Sequence, residues 1–157
     1  MRARVRRAVG ALATVEAYAD SADAARAIAS RAHALVISDP HGAGGARVRR
    51  HALRAHVPLV VVASQLSLEA LLDLIAEGAS DFIHPRDTAA SIAEVVRRTL
   101  EVGDVRRELR AMDRDGGVAN TVRYERVLRR VSRALERMRV TKRAYRRRLQ
   151  RTGALTA

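Results

Sequence analysis

Apolar and polar positions alternate along the chain in two periods. Met1–Leu12 reads as a short basic helix, and Thr14–Ala19 alternates with the period of two expected of a half-buried strand. Ser21 can cap an alanine-rich helix over Ala22–Arg31. Ala34–Ser38 is a continuous apolar run that stops at Asp39-Pro40, and His41–Gly45 follows as a glycine-rich loop. A helix over Ala46–His56 carries arginine on its outer side. Pro58 then opens the β-branched run Leu59–Ala63, a strand buried on both faces. Ser67–Glu77 is a helix stopped by Gly78, and Asp81–His84 is a short strand ended by Pro85. Strands alternating with helices of about ten residues predict right-handed βαβ units and an open, doubly wound parallel sheet.

A helix from about Ala89 runs toward Met112, and Asp113–Gly117 breaks it. Between Ala119 and Arg151 there is neither proline nor glycine. Thr121, Tyr124, Leu128, Val131, Leu135, Met138, Lys142, Tyr145 and Leu149 recur at alternating spacings of three and four. A seven-residue repeat held this long predicts a coiled-coil seam, with Thr121 and Lys142 as polar interruptions. The expected organisation is an α/β domain over 1–101, an extended helix and hinge over 102–117, and a basic coiled-coil helix with a short disordered end over 118–157.

Charge sharpens this division. The net charge is +13, but residues 1–117 hold 17 arginines against 15 carboxylates, a net of only +2. Residues 118–157 hold 12 arginines, one lysine and two glutamates, a net of +11. A field of that size suits a polyanion, with Arg143, Arg146, Arg147 and Arg148 as the candidate contacts. Such binding would neutralise phosphates without reading sequence, since no helix-turn-helix is evident. A run of arginines on a helix is also a common solvated face. Bulky apolar anchors for a membrane surface are lacking.

Hydrophobic residues make up 48% of the chain and aromatics only 3%, so the core must be aliphatic. There is no cysteine, which excludes disulfides and thiolate metal sites and fits a cytoplasmic setting. No apolar signal-peptide core follows the charged N-terminus, and Leu59–Ala63, the longest apolar stretch, is too short to span a bilayer.

Ligands of open parallel sheets bind at the carboxyl ends of the strands. Asp39, Ser64 and His84 all fall there, which makes them the candidate site. An Asp-His-Ser hydrolase triad is one reading, although the Gly-x-Ser-x-Gly elbow is absent. Gly42-Ala43-Gly44-Gly45 lacks the Gly-Lys-Ser/Thr of a phosphate-binding loop, and His41, His51 and His56 lack metal-site spacing.

Three segments in this order and spacing resemble the receiver domain of bacterial response regulators, over roughly Arg2–Glu101. Ala34–Asp39 is similar to the third receiver strand, which ends in the phosphoacceptor aspartate. Pro58–Ser64 is similar to the fourth, where a hydroxyl residue follows the apolar run. Gly78-Ala79-Ser80-Asp81-Phe82-Ile83 resembles the Gly-Ala-x-Asp-Tyr/Phe-Leu/Ile signature before the fifth strand's Lys-Pro. The resemblance implies a regulatory protein of a two-component phosphorelay, with Asp39 as phosphoacceptor candidate, Ser64 and His84 at switch positions, and no catalytic residues. Protein partners would follow, a histidine kinase among them, with a homodimer through the C-terminal helix.

The departures are specific. Receiver chemistry uses a magnesium ion held by an acidic pair after the first strand together with the acceptor aspartate. The chain starts inside what corresponds to the first helix, so the first strand and its acidic pair are missing. The family's lysine is absent, since Ile83-His84-Pro85 stands where the usual run is one residue longer, and the hydroxyl position aligns with Ala63, one residue before Ser64. Asp20, after the second strand, approaches the same edge. The domain is then either a pseudo-receiver without a cofactor, or one whose start lies upstream of Met1 and supplies magnesium ligands. The remaining alternative is a DNA- or RNA-binding or purely dimerising adaptor that works through the basic helix.

Overall fold

A computed structural model describes residues 1–63 and 66–114, together with 125, 128–130, 132, 133 and 136. The chain divides into two compact units, Met1–Leu100 and Glu101–Ala157.

The first unit is built on a three-stranded parallel sheet of order β1-β2-β3, formed by β1 (Val36–Ser38), β2 (Leu59–Val62) and β3 (Asp81–Ile83). Val36 pairs with Leu59, and Val60 with Asp81, so the three carboxyl ends lie side by side. The helices are α1 (Arg2–Val9), α2 (Ser21–Ser30), α3 (Gly42–Arg54), α4 (Leu68–Ala76) and α5 (Ala89–Arg114), the last running on into the second unit.

Strand parity sorts the core into two layers. Leu59 and Val61 point to one face of β2 and pack with Ile28 of α2, Val48 and Ala52 of α3 and Leu74 of α4. Val60 and Ile83 point to the other, against Val5 and Val9 of α1 and Ile92 and Val96 of α5. Both faces of the sheet are covered, which is why β2 reads as an unbroken aliphatic run rather than an alternation. The fold is the doubly wound α/β architecture expected of a receiver.

Three local expectations are corrected. Thr14–Ala19 forms no strand, because among the described residues no strand pairs with it to complete a ladder; Ala13 and Val15 pack instead against the layer of α1 and α5. The cap of α2 is Asp20 rather than Ser21: Asp20 Oδ1 accepts from the backbone N–H groups of Ala22 at 2.7 Å and Asp23 at 3.0 Å. The glycine-rich stretch after His41 is not a loop but the first turn of α3. There a Cβ on Gly45 would lie 2.7 Å from the Asp39 carbonyl oxygen, and one on Gly44 2.6 Å from Ser21 Oγ. Close approach outweighs glycine's helix cost of about 1 kcal/mol per residue.

Helix α4 follows its sequence signals closely. Ser67 Oγ accepts from the Ala70 N–H at 3.2 Å. At the other end Gly78 takes a left-handed φ of 100°. The N–H groups of Gly78 and Ala79 bond back to Ile75 and Leu74, which closes a Schellman motif.

Within the second unit, Arg130 Nη1 reaches Glu108 Oε2 at 2.6 Å across 22 residues of sequence. The chain around Arg130 therefore lies alongside the α5 segment of that unit. Leu128 remains 45% exposed. The other seam positions all lie outside the described residues.

Candidate functional site at the strand ends

The carboxyl ends of the three strands present Asp39, Ala63 and His84 in adjacent positions. Asp39 and His84 stand on strands two spacings apart, about 10 Å. Ser64 lies outside the described residues.

Asp39 is exposed and leaves β1 in an Asx turn: its Oδ1 accepts from the His41 N–H at 3.0 Å. Gly45 holds α3 directly against the Asp39-Pro40 backbone, so the turn has little room to move. The carboxylate thus projects from a fixed position at the sheet's edge, with one oxygen used locally.

His84 is more heavily committed. Its backbone N–H donates to Asp87 Oδ2 at 2.8 Å, and its Nδ1 accepts from the Arg86 N–H at 3.1 Å. That contact engages Nδ1 within the turn itself. Asp87 is buried in this turn, and Arg4 of α1 donates to the Pro85 carbonyl. The turn from His84 to Asp87 so ties β3 to α1. None of these partners was visible in sequence, apart from the turn signal of Pro85 and an aspartate three residues after His84.

The described residues do not assemble a relay of the hydrolase type. Such a relay needs His84 Nδ1 to donate to the carboxylate of Asp39, whereas that nitrogen accepts from Arg86 and Asp39 serves His41.

Asp20 does not bring a second free carboxylate. Its oxygen is spent on the cap of α2, and the N–H groups of Asp23 and Ala22 hold its carboxyl below the usual range. Among the described residues no group of three or more His, Asp or Glu side chains could hold a metal ion. The described residues at this edge do not by themselves fit a magnesium site. Among the described residues, too, no helix is long and apolar enough to cross a membrane. The candidates Arg143, Arg146, Arg147 and Arg148 lie outside the described residues.

No protein-family model matches the chain, and no curated protein sequence matches it. Two solved structures are similar in fold. One is the signal receiver domain of a protein described as a Luxo repressor, from Vibrio parahaemolyticus: 17% identical, with a TM-score of 0.63, over 69% of this chain and 87% of that one. The other is NtrX from Brucella abortus in complex with ATP: 24% identical, with a TM-score of 0.59, over 71% of this chain but only 27% of that one. Sheet order, the two helical layers and these likenesses agree that the first unit has the fold of a signal receiver domain.

Proposed function

We propose that the chain is a receiver-like regulatory protein of a two-component phosphorelay, impaired in phosphorylation, that acts through protein contacts rather than catalysis. The reading places it in the cytoplasm, with a histidine kinase among its candidate partners. One observation supports it: Asp39 stands at the carboxyl end of β1, where a receiver domain carries its acceptor, while the groups around it serve other ends. Phosphoryl transfer to a carboxylate brings two anionic groups together and needs cations to screen them. Here the lysine is absent, and His84, which stands just before Pro85, is engaged at Nδ1 by the Arg86 N–H. Asp20, the carboxylate expected from the sequence to approach the same edge, is a helix cap.

Incubation with acetyl phosphate and magnesium, followed by intact-mass measurement, is expected to show far less than one phosphoryl group per chain. Stoichiometric phosphorylation that disappears in Asp39→Asn would overturn the impairment.

The output is proposed to run through the second unit, as a homodimer joined by the C-terminal seam. Leu128 stays 45% exposed even though Arg130 is paired with Glu108, so the fold-back leaves apolar surface uncovered. Burying Leu128, Val131, Leu135 and Met138 contributes roughly 1.5–3 kcal/mol each. Light scattering at about 1 M salt, where contacts between surface charges are screened, is expected to give a dimer that Leu135→Asp converts to monomer. A monomer at all concentrations, unchanged by Leu135→Asp, would leave the seam satisfied within one chain.

The +11 of residues 118–157 supports a second reading, a polyanion-binding or dimerising adaptor. Nucleic acid is the partner that would then separate the two readings.

A further inference from the structure

In the first unit helix α3 meets the C-terminal end of α4. Arg49 Nε meets Glu77 Oε2 at 3.0 Å, and a Cβ on Gly78 would lie 2.7 Å from Leu53 Cδ2. Val48 and Ala52 turn α3 inward, which leaves Arg47, Arg50 and Arg54 exposed at spacings of three and four on the outer side. No carboxylate occurs anywhere on α3. On α4, Leu74 turns inward, and Glu69, Asp73 and Glu77 recur every four residues, all exposed, in the row that reaches Arg49. Among the described residues, Arg50, Arg54, Glu69 and Asp73 form no ion pair. A shallow depression lined by Ala46, Leu53, Arg49, Arg50 and Glu77 separates the two rows.

We infer that this face docks on the same face of a second copy of the chain. A surface with a cationic half and an anionic half is self-complementary about a two-fold axis between them: the arginines of each copy cover the carboxylates of the other. The axis then passes near Ala46 and Leu53, the apolar centre between the rows. A polyanion fits the face poorly, since it would lie against Glu69 and Asp73. An acidic protein meets the same repulsion. The association is electrostatic with a small apolar centre, so it weakens with salt. It is separate from the seam of the second unit and goes beyond the regulatory role proposed above.

The chain has no cysteine, which allows a clean test in the full-length protein. Leu53→Cys is expected to give a disulfide-linked dimer under mild oxidation at about 20 mM salt. The yield should fall roughly tenfold near 1 M, where the Debye length is only about 3 Å. Leu12→Cys, beyond α1, should give none. In the Leu53→Cys background, Arg50→Glu with Arg54→Glu makes the face predominantly acidic. Glu69→Arg with Asp73→Arg makes it predominantly basic. Each variant alone should lose its crosslink about tenfold, and mixing the two should restore it as a heterodimer recognised by mass. Association through the tail does not follow these charges, so it cannot produce that pattern. Absence of the parent crosslink at low salt, a crosslink indifferent to salt, or a mixture without heterodimer would each overturn the inference. The salt dependence of the parent decides the matter even where a charge-reversed variant fails to fold.

Discussion

Arg98→Ala is expected to destabilise the first unit by about 3–5 kcal/mol, the range for removing one partner of a buried ion pair. Asp81 and Ile83 point to the same side of β3, toward α5, because Phe82 between them points to the other. Arg98 of α5 comes down on that side and is almost wholly buried, at 6% exposure. Its Nε donates to Asp81 Oδ2 at 2.9 Å, and its Nη2 donates to the same oxygen. Truncation would leave a carboxylate that is only 18% exposed without its counter-charge. The control is the neighbouring Arg97, paired with Glu94 but 52% exposed. Arg97→Ala should cost no more than about 0.5 kcal/mol, since solvent already screens that pair. Urea unfolding followed by circular dichroism measures both. Equal losses in the two variants would show that burial adds nothing at Arg98. The double replacement Arg98→Met with Asp81→Leu should recover most of the loss, because two apolar groups leave no buried charge behind.

Much of the fold was legible because its strands are buried on both faces. Leu59–Val62 can hardly be anything but an inner strand, and the Ser67 and Gly78 signals bracket α4 correctly. Where reading failed, the deciding term was tertiary. The alternation of Thr14–Ala19 states a preference for extended backbone but cannot supply the neighbour a ladder needs. The glycines after His41 look like a loop on propensity, yet they are there so that α3 can touch the Asp39-Pro40 backbone and Ser21. At the site, the strand-end positions of Asp39 and His84 follow from pattern alone. Their hydrogen bonds do not, since they depend on how the turn from His84 to Asp87 closes. The pair of Asp81 and Arg98 escaped for a related reason: 17 residues separate its members, and no local spacing marks them.

On the polyanion reading, affinity for duplex DNA should collapse with salt. Each phosphate neutralised releases counterions and contributes about −0.9 to the log–log slope, so roughly four such phosphates give about −3.6. Raising salt from about 50 to 200 mM would then weaken binding about 150-fold, with little dependence on sequence. Changing Arg146, Arg147 and Arg148 to Gln should flatten the slope by about 2.7, one increment for each arginine replaced. Changing Arg47, Arg49 and Arg50 should leave it nearly untouched, because residues 1–117 carry a net charge of only +2. Fluorescence anisotropy over a salt series reads both effects. No binding to DNA or RNA at low salt would leave the second unit as a protein-contact element alone.

The central position of β2 also makes it an internal gauge of the whole first unit. Val60 and Val61 have no solvent exposure, and their strand is bonded to β1 on one edge and β3 on the other. No small opening can bring these amides to water, so their hydrogens should exchange only when the entire unit unfolds. Among the described residues, the outer edges of β1 and β3 bond to no further strand and can open locally. Amide exchange at Val60 and Val61 would therefore register any event that strengthens or weakens the unit, from a partner on α3 and α4 to a group placed on Asp39, wherever on the surface it acts.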